Sequence, residues 1–362
     1  MTRTSRRIEV SDADPRVEWV QAARSALEGG ALALFPTECG YALGARGDDA
    51  RAIERLREAT ERRAPAPFTW AVSSTAALGE LGEVSALARR LATRYWPGPL
   101  TLVLPGNGLH PLLEAEGWIG VRCVAHAATT GILAALPFPV AFYGVRTRAG
   151  RSVEAEAADV ATRQRAAVVF DGGRARLAEP PSVARVGRGR FELLREGLVD
   201  LRQLRQAAGL RIGFVCTGNT CRSPMAEGLA RVALAERLGC RVDELGGFGF
   251  ELVSMGVNAV EGDPASKHTQ SILEEAGIDA SAHRARVAQA QDLARFDHLY
   301  CMTSGHLDAL VAILPPKHAK HAQLLDPEGR NISDPIGGPR EVYRRTAEQI
   351  RQALATRVRE WA

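Results

Sequence analysis

Two rhythms of apolar and polar positions trade places along this chain. Short apolar runs rich in Val, Leu and Phe are separated by amphipathic stretches of helical period. This is the pattern of layered α/β structure rather than of a helical bundle or a β-sandwich. Pro15 to Glu28 predicts a helix stopped by Gly29 and Gly30, and Ala31 to Phe35 a strand running into Pro36. Leu100 to Leu104, Ile119 to Arg122, Val140 to Phe142, Ala167 to Phe170 and Phe191 to Leu194 are further strand candidates. A short amphipathic helix closes near Gly209, after which Arg211 to Val215 opens a new buried strand. At 362 residues the chain exceeds one typical core. Two α/β domains are expected, residues 1–207 and 208–362, with no internal repeat and no low-complexity linker.

The second domain carries the sharper chemical signal. An apolar strand end, Ile212 to Val215, leads into Cys216-Thr217-Gly218-Asn219-Thr220-Cys221-Arg222-Ser223-Pro224, and Met225 to Leu238 follows with helical period. Ser223 is a favoured N-cap and Pro224 a favoured first helical residue, so the loop is expected to sit at a helix N-terminus. Unpaired backbone N–H groups and the positive end of the helix dipole suit a phosphate dianion there. Gly218 is expected to let the backbone curl so that successive amides converge on one anion. The same environment, with Arg222 beside it, favours the anionic form of a thiol, so Cys216 is expected to act as a thiolate nucleophile. Arg222 would hold two phosphoryl oxygens with its planar fork, and Ser223 would donate a hydrogen bond to the sulfur. Asp334, in Ser333-Asp334-Pro335, is the candidate proton donor to the leaving group. A Cys-x5-Arg match alone is common by chance. The joint order of strand, glycine, second cysteine, Arg-Ser-Pro and helix is not.

Composition changes this picture little. Apolar residues at 46% and charged residues at 24% are ordinary for a globular protein, and no run approaches the roughly 20 apolar residues of a membrane span. The basic N-terminus lacks an apolar signal-peptide core, so a cytoplasmic protein without membrane attachment is expected. A net charge of +4 is too small to argue for nucleic acid by itself. The six cysteines form no CxxC pairs and stand at no metal spacing with histidine, so neither a disulfide framework nor a metal site is expected, and no cofactor is called for.

The run Val215 to Glu227 resembles the low-molecular-weight protein tyrosine phosphatases, and the resemblance extends over roughly Arg211 to Ala362 through His283-Arg284-Ala285-Arg286, Phe296-Asp297 to Met302 and Asp334-Pro335. Ser254-Met255-Gly256 stands where the family usually has Ser-Ala-Gly. The resemblance implies a four-stranded parallel sheet flanked by helices and hydrolysis through a phosphocysteine. It further implies a phosphate cradle from Thr217, Gly218, Asn219, Thr220 and Cys221, with Cys221 able to trap oxidised Cys216 as a reversible disulfide. The partner is then a phosphorylated protein. Thr220 in place of an aliphatic residue, and Asp334-Pro335-Ile336-Gly337-Gly338 without an aromatic, are more similar to the bacterial protein arginine phosphatases of this family, so phosphoarginine and phosphotyrosine both stand as substrates.

In the first half, Phe35-Pro36-Thr37-Glu38-Cys39-Gly40-Tyr41-Ala42-Leu43-Gly44 and Tyr95 to Leu104 resemble the YrdC-like domain of threonylcarbamoyl-adenylate synthases. Gly120-Val121-Arg122 with His126, Phe170 to Gly173, Pro181-Ser182-Val183 and Leu194 to Gly197 carry the likeness over Ile8 to Leu204. That family's Lys-x-Arg reads here as Thr60-Glu61-Arg62, and its Ser-x-Asn as Gly144-Val145-Arg146. The domain is therefore expected to keep the shape and to have lost the synthase chemistry. The alternative reading of the whole chain is a nucleotide- or double-stranded-RNA-binding tRNA-modification protein with an accessory phosphatase. Thr37, Arg62, Arg122, Arg146 and Ser182 would then carry the ligand.

Overall fold

The computed structural model describes residues 5–11, 15–61, 67–145, 154, 165–177, 179–187 and 190–362. The chain forms two compact units, Met1–Ala207 and Ala208–Ala362. Both are α/β.

The first unit is built on one mixed sheet of eleven strands among the described residues. In chain order these are β1 (Arg6–Glu9), β2 (Leu32–Thr37), β3 (Gly40–Arg46), β4 (Thr69–Val72), β5 (Leu100–Pro105) and β6 (Glu114–Ala115). They continue as β7 (Trp118–Cys123), β8 (Val140–Gly144), β9 (Ala166–Asp171), β10 (Ser182–Gly187) and β11 (Arg190–Arg195). The sheet runs β1-β9-β2-β3-β8-β4-β7-β5-β10-β11, with β6 paired to β7. β2 and β3 form an antiparallel hairpin with Thr37 opposite Gly40, so Pro36 lies inside a strand rather than beyond its end. All six residues of β2 are buried, as a strand covered on both faces requires. The helix Val17–Glu28 buries Trp19, Ala22, Ala23 and Leu27 on one stripe. Phe35 anchors the core beneath, with the rings of Phe142 and Phe170 at 5.2 and 5.1 Å.

The second unit holds a four-stranded sheet of β12 (Leu210–Cys216), β13 (Phe250–Gly256), β14 (His298–Cys301) and β15 (Ala322–Leu324). Their order is β13-β12-β14-β15, and every pairing is parallel. Side chains of β12 alternate between two cores. Ile212, Phe214 and Cys216 face the cluster that includes Met225, Leu229, Tyr300 and Trp361, and Val215 faces Met255, Leu299 and Leu310. Full burial of one side chain such as Phe214 stabilises by about 2 kcal/mol. The helices Arg222–Leu238 and Arg340–Trp361 supply about half of the first cluster. β12 is an interior strand, so its last residue, Cys216, sits at the C-terminal edge of the sheet, where open parallel sheets place their ligands. Among the described residues, no helix is long and apolar enough to cross a membrane.

Candidate active site

The segment after Cys216 turns through Thr217 to Cys221 and enters its helix at Arg222. The start lies two residues earlier than Ser223 capping would give. Cys221 occupies the N-cap position without a side-chain cap bond, and Arg222 is already in the first turn. Ser223 is instead turned inward and fully buried. Its Oγ lies 3.0 Å from Cys216 Sγ, accepts a hydrogen bond from Asn219 Nδ2 at 2.9 Å, and lies 3.2 Å from the carbonyl oxygen of Met255. The Ser223 hydroxyl has one proton and two acceptors within reach, Cys216 Sγ and Met255 O.

The curl of the loop is carried by Asn219, not by Gly218. Asn219 has φ +54°, a left-handed conformation that asparagine tolerates better than most residues. Gly218 has no positive φ, and a Cβ there would meet only Thr220 Oγ1 at 3.7 Å. Asn219 is buried and tied on three sides. Besides the bond to Ser223, its Oδ1 accepts from the amide of Arg286 at 2.9 Å, and its carbonyl oxygen lies 2.8 Å from His283 Nε2. A carbonyl can only accept, so His283 carries its proton on Nε2. Among the described residues the amides of Gly218, Asn219, Thr220 and Cys221 have no protein acceptor. Four consecutive donors at a helix N-terminus make an anion cradle.

β13 closes against this loop through Gly256. A Cβ there would fall 2.3 Å from the carbonyl oxygen of Thr217 and 2.9 Å from the amide nitrogen of Asn219. Only glycine permits that approach. The chain beyond is stitched to the loop by bonds from Val257 N to Cys216 O at 2.9 Å and from Asn258 N to Thr217 O at 3.0 Å.

Arg222 is buried, and its Nη2 donates to Asp334 Oδ2 at 2.5 Å. Asp334 stays 44% exposed, so one carboxylate oxygen pairs with the guanidinium while the group still faces solvent. Its Oδ1 accepts from Ile336 N at 3.2 Å. Cys221 is buried, with Sγ 3.3 Å from the Tyr343 hydroxyl. All six cysteines are free thiols. Burial pushes Cys301 up to about 12, which keeps that strand cysteine protonated and chemically quiet.

His306 does not stand out in the sequence, yet it reaches the loop. Its Nε2 lies 2.8 Å from Thr217 Oγ1 and its Nδ1 2.8 Å from Thr303 Oγ1. Burial, reinforced by the charge of Arg222 and opposed by Asp334, lowers its pKa. The available signal is Thr303 three residues before it, an N-cap threonine that fixes His306 in the first turn of the helix Ser304–Ile313.

The first unit contains a cavity of about 700 Å³ whose lining includes Thr37, Cys39, Tyr41, Trp118, Arg122 and Tyr143. Arg122 is not a solvated surface charge. It is buried, donating to Glu38 Oε1 at 2.6 Å, to Cys39 Sγ at 3.2 Å and to the carbonyl of Gly98 at 3.2 Å. Thr37 lines the cavity, with its hydroxyl donating to Gly40 O at 2.9 Å and accepting from Cys39 N at 3.2 Å. Ser182 departs from the expected ligand role. It is fully buried, its hydroxyl donates to Val199 O and accepts from the amides of Gly197 and Val199, and its hydrogen-bonding capacity is spent inside the fold. Arg62 and Arg146 lie outside the described residues.

A cysteine at the C-terminal end of an interior parallel strand, followed by a loop of free amides and a buried guanidinium, marks the second unit as a cysteine-dependent phosphatase domain. Residues 211–361 match the family model described as low molecular weight phosphotyrosine protein phosphatase, and the chain belongs to that family. A protein-arginine-phosphatase of Geobacillus stearothermophilus is 41% identical over 143 residues, 39% of this chain and 88% of that protein. A low molecular weight protein-tyrosine-phosphatase of Streptomyces coelicolor is 34% identical over 153 residues, 40% of this chain and 88% of its own. Residues 25–197 match the Sua5/YciO/YrdC family model described as telomere recombination. A threonylcarbamoyl-AMP synthase of Pyrococcus abyssi is 31% identical over 219 residues, 59% of this chain, and the match spans 64% of that synthase.

Proposed function

We propose that the second unit hydrolyses phosphorylated protein side chains through a phosphocysteine, with phosphoarginine as the preferred substrate. The reading rests on one observation: Cys216 Sγ, the free amides of Gly218 to Cys221, and the Arg222–Asp334 pair belong to one loop and its immediate neighbours. In the first step the Cys216 thiolate forms the S–P bond as the bond from phosphorus to the side-chain nitrogen or oxygen breaks. Arg222 and the loop amides hold the equatorial oxygens while charge builds. The Asp334 carboxyl gives its proton to the leaving group, then as carboxylate takes one from the water that cleaves S–P and releases orthophosphate. Ser223 supports the sulfur as it attacks and leaves.

Three features favour phosphoarginine over phosphotyrosine. Thr220 supplies a hydroxyl where an aliphatic wall would suit a phenyl ring. Ile336 beyond the Asp-Pro is 71% exposed and offers no aromatic face. The relative from Geobacillus stearothermophilus bears the name protein-arginine-phosphatase. The test is hydrolysis of a phosphoarginine peptide and a phosphotyrosine peptide by the unaltered chain and by Cys216→Ser. Faster turnover of phosphoarginine, lost in the variant, is expected. Equal turnover by both proteins would refute the mechanism, and a preference for phosphotyrosine would refute the substrate.

A second reading concerns the first unit, which we infer binds a nucleotide or RNA rather than running a synthase reaction. The aromatic side chains of Tyr41, Trp118 and Tyr143 in its cavity favour a planar ligand. ATP, threonine and double-stranded RNA titrated separately would decide it, and ATP- and threonine-dependent release of pyrophosphate would overturn the loss of chemistry.

A further inference from the structure

We propose that Thr303, His306 and Thr217 form a hydrogen-bonded relay that holds the Thr217 hydroxyl as a fixed donor at the mouth of the phosphate loop, making His306 a positioning residue for the phosphoryl group. The inference rests on the phosphatase reading of that loop. Three distances carry it: Thr303 Oγ1 to His306 Nδ1 at 2.8 Å, His306 Nε2 to Thr217 Oγ1 at 2.8 Å, and His306 N to Thr303 Oγ1 at 3.4 Å.

The direction of the chain follows from counting protons. Thr303 Oγ1 accepts the backbone N–H of His306 as the helix N-cap. Its own hydroxyl proton is then free to be donated, and the ring nitrogen Nδ1 is the acceptor in reach. With Nδ1 accepting, a neutral imidazole carries its proton on Nε2 and donates it to Thr217 Oγ1. That leaves the hydroxyl proton of Thr217 with no assignment inside the protein. Thr217 is exposed and follows the nucleophile directly, so this proton is available to a phosphoryl oxygen in the cradle. The reverse tautomer strands the Thr303 proton and turns the lone pairs of Thr217, rather than its proton, toward an arriving anion. The charged groups acting on the imidazole are Arg222 and Asp334, and burial together with Arg222 keeps it in the neutral form the relay requires. The backbone of Thr217 is separately fixed, because its carbonyl accepts from Asn258 N at 3.0 Å. His306 therefore governs the side chain of Thr217 and not the course of the loop.

The test has two arms. In the first, the imidazole nitrogens of the full chain are read by 15N NMR, with His306→Gln to assign the signals and inorganic phosphate as the titrant. Nε2 protonated and Nδ1 bare is expected, with phosphate binding about tenfold weaker in both Thr217→Val and His306→Ala. In the second, kcat/KM for an aryl phosphate is measured across the cycle Thr217→Val, His306→Ala and the double variant. Each single change is expected to cost about tenfold, the double no more than either alone, and Thr217→Ser to retain the activity of the unaltered chain. His306→Gln, with melting curves, stands in if His306→Ala does not fold. An Nδ1-protonated ring, multiplicative losses in the double variant, or an unchanged Thr217→Val would overturn the relay. Failure of the unaltered chain to hydrolyse the aryl phosphate would overturn the phosphatase reading instead, and the phosphate titration would still decide the relay.

Discussion

Gly256→Ala tests the architecture of the loop with a single methyl group. The added Cβ would sit 2.3 Å from Thr217 O and 2.9 Å from Asn219 N, both main-chain atoms of the phosphate cradle. Ordinary contact begins near 3.4 Å, so strand and loop must part by about 1 Å. The strand backbone at this position is not left-handed, which makes the effect steric and not conformational. A displacement of about 1 Å in groups that hold a reacting phosphoryl is worth on the order of a hundredfold in kcat/KM. Overpacking at one site costs about 1–3 kcal/mol of stability, a fall of several degrees in melting temperature for a unit of this size. Gly246→Ala is the control, since nothing lies within 4 Å of a Cβ there. The assay is aryl phosphate hydrolysis beside a melting curve for each protein. A folded Gly256→Ala whose kcat/KM stays within about threefold of the unaltered chain would refute the claim that this contact sets the cradle.

Asp334→Asn removes the carboxyl that we propose as proton donor and is expected to lower kcat about a hundredfold or more for a basic leaving group and much less for an activated phenol, which leaves without a proton; a series of aryl phosphates measures the difference. Glu38→Gln leaves the buried guanidinium of Arg122 without its carboxylate and is expected to cost about 3–5 kcal/mol in urea unfolding. Glu192→Gln, which breaks the exposed pair with Arg185, is expected to cost less than about 1 kcal/mol. The imidazole of His306 has its pKa lowered in the folded state from the usual 6.5, so the unfolded chain binds the proton more readily. Its contribution to stability is complete above pH 6.5 and is lost as the pH falls from there through the folded value. His306→Gln is expected to flatten that part of the stability curve, as followed by urea midpoints between pH 7 and pH 5.

The loop was legible because its chemistry is local. Cys216, Asn219, Arg222 and Ser223 fall within eight residues, between a strand and a helix that each announce themselves by period. Reading Ser223 as an N-cap went wrong because the rule weighs only the helix. Cys216 Sγ, Asn219 Nδ2 and Met255 O compete for the same hydroxyl, and the tertiary partners win. Gly218 misled for a related reason: glycine tolerates a curl, but the side chain of Asn219 is tethered at both ends and takes the left-handed position itself. His306 stayed hidden because it lies 89 residues from Thr217 in sequence, and the ten-residue helix it opens looks like any other capped helix. In the first unit the apolar runs marked β5, β7, β8 and β9, but Pro36 concealed the end of β2 and its turn into β3, since proline within a strand argues against one.

The Glu38–Arg122 bond has a consequence for anything that enters the cavity of the first unit. A lone guanidinium projects a monopole that recruits anions over a Debye length, whereas a tight ion pair projects only a dipole, whose reach dies within a few ångströms. By itself that pair does not draw a polyanion in from solution. A guest there would be selected on arrival, by fit and by the hydrogen bonds it can share with a charge already neutralised.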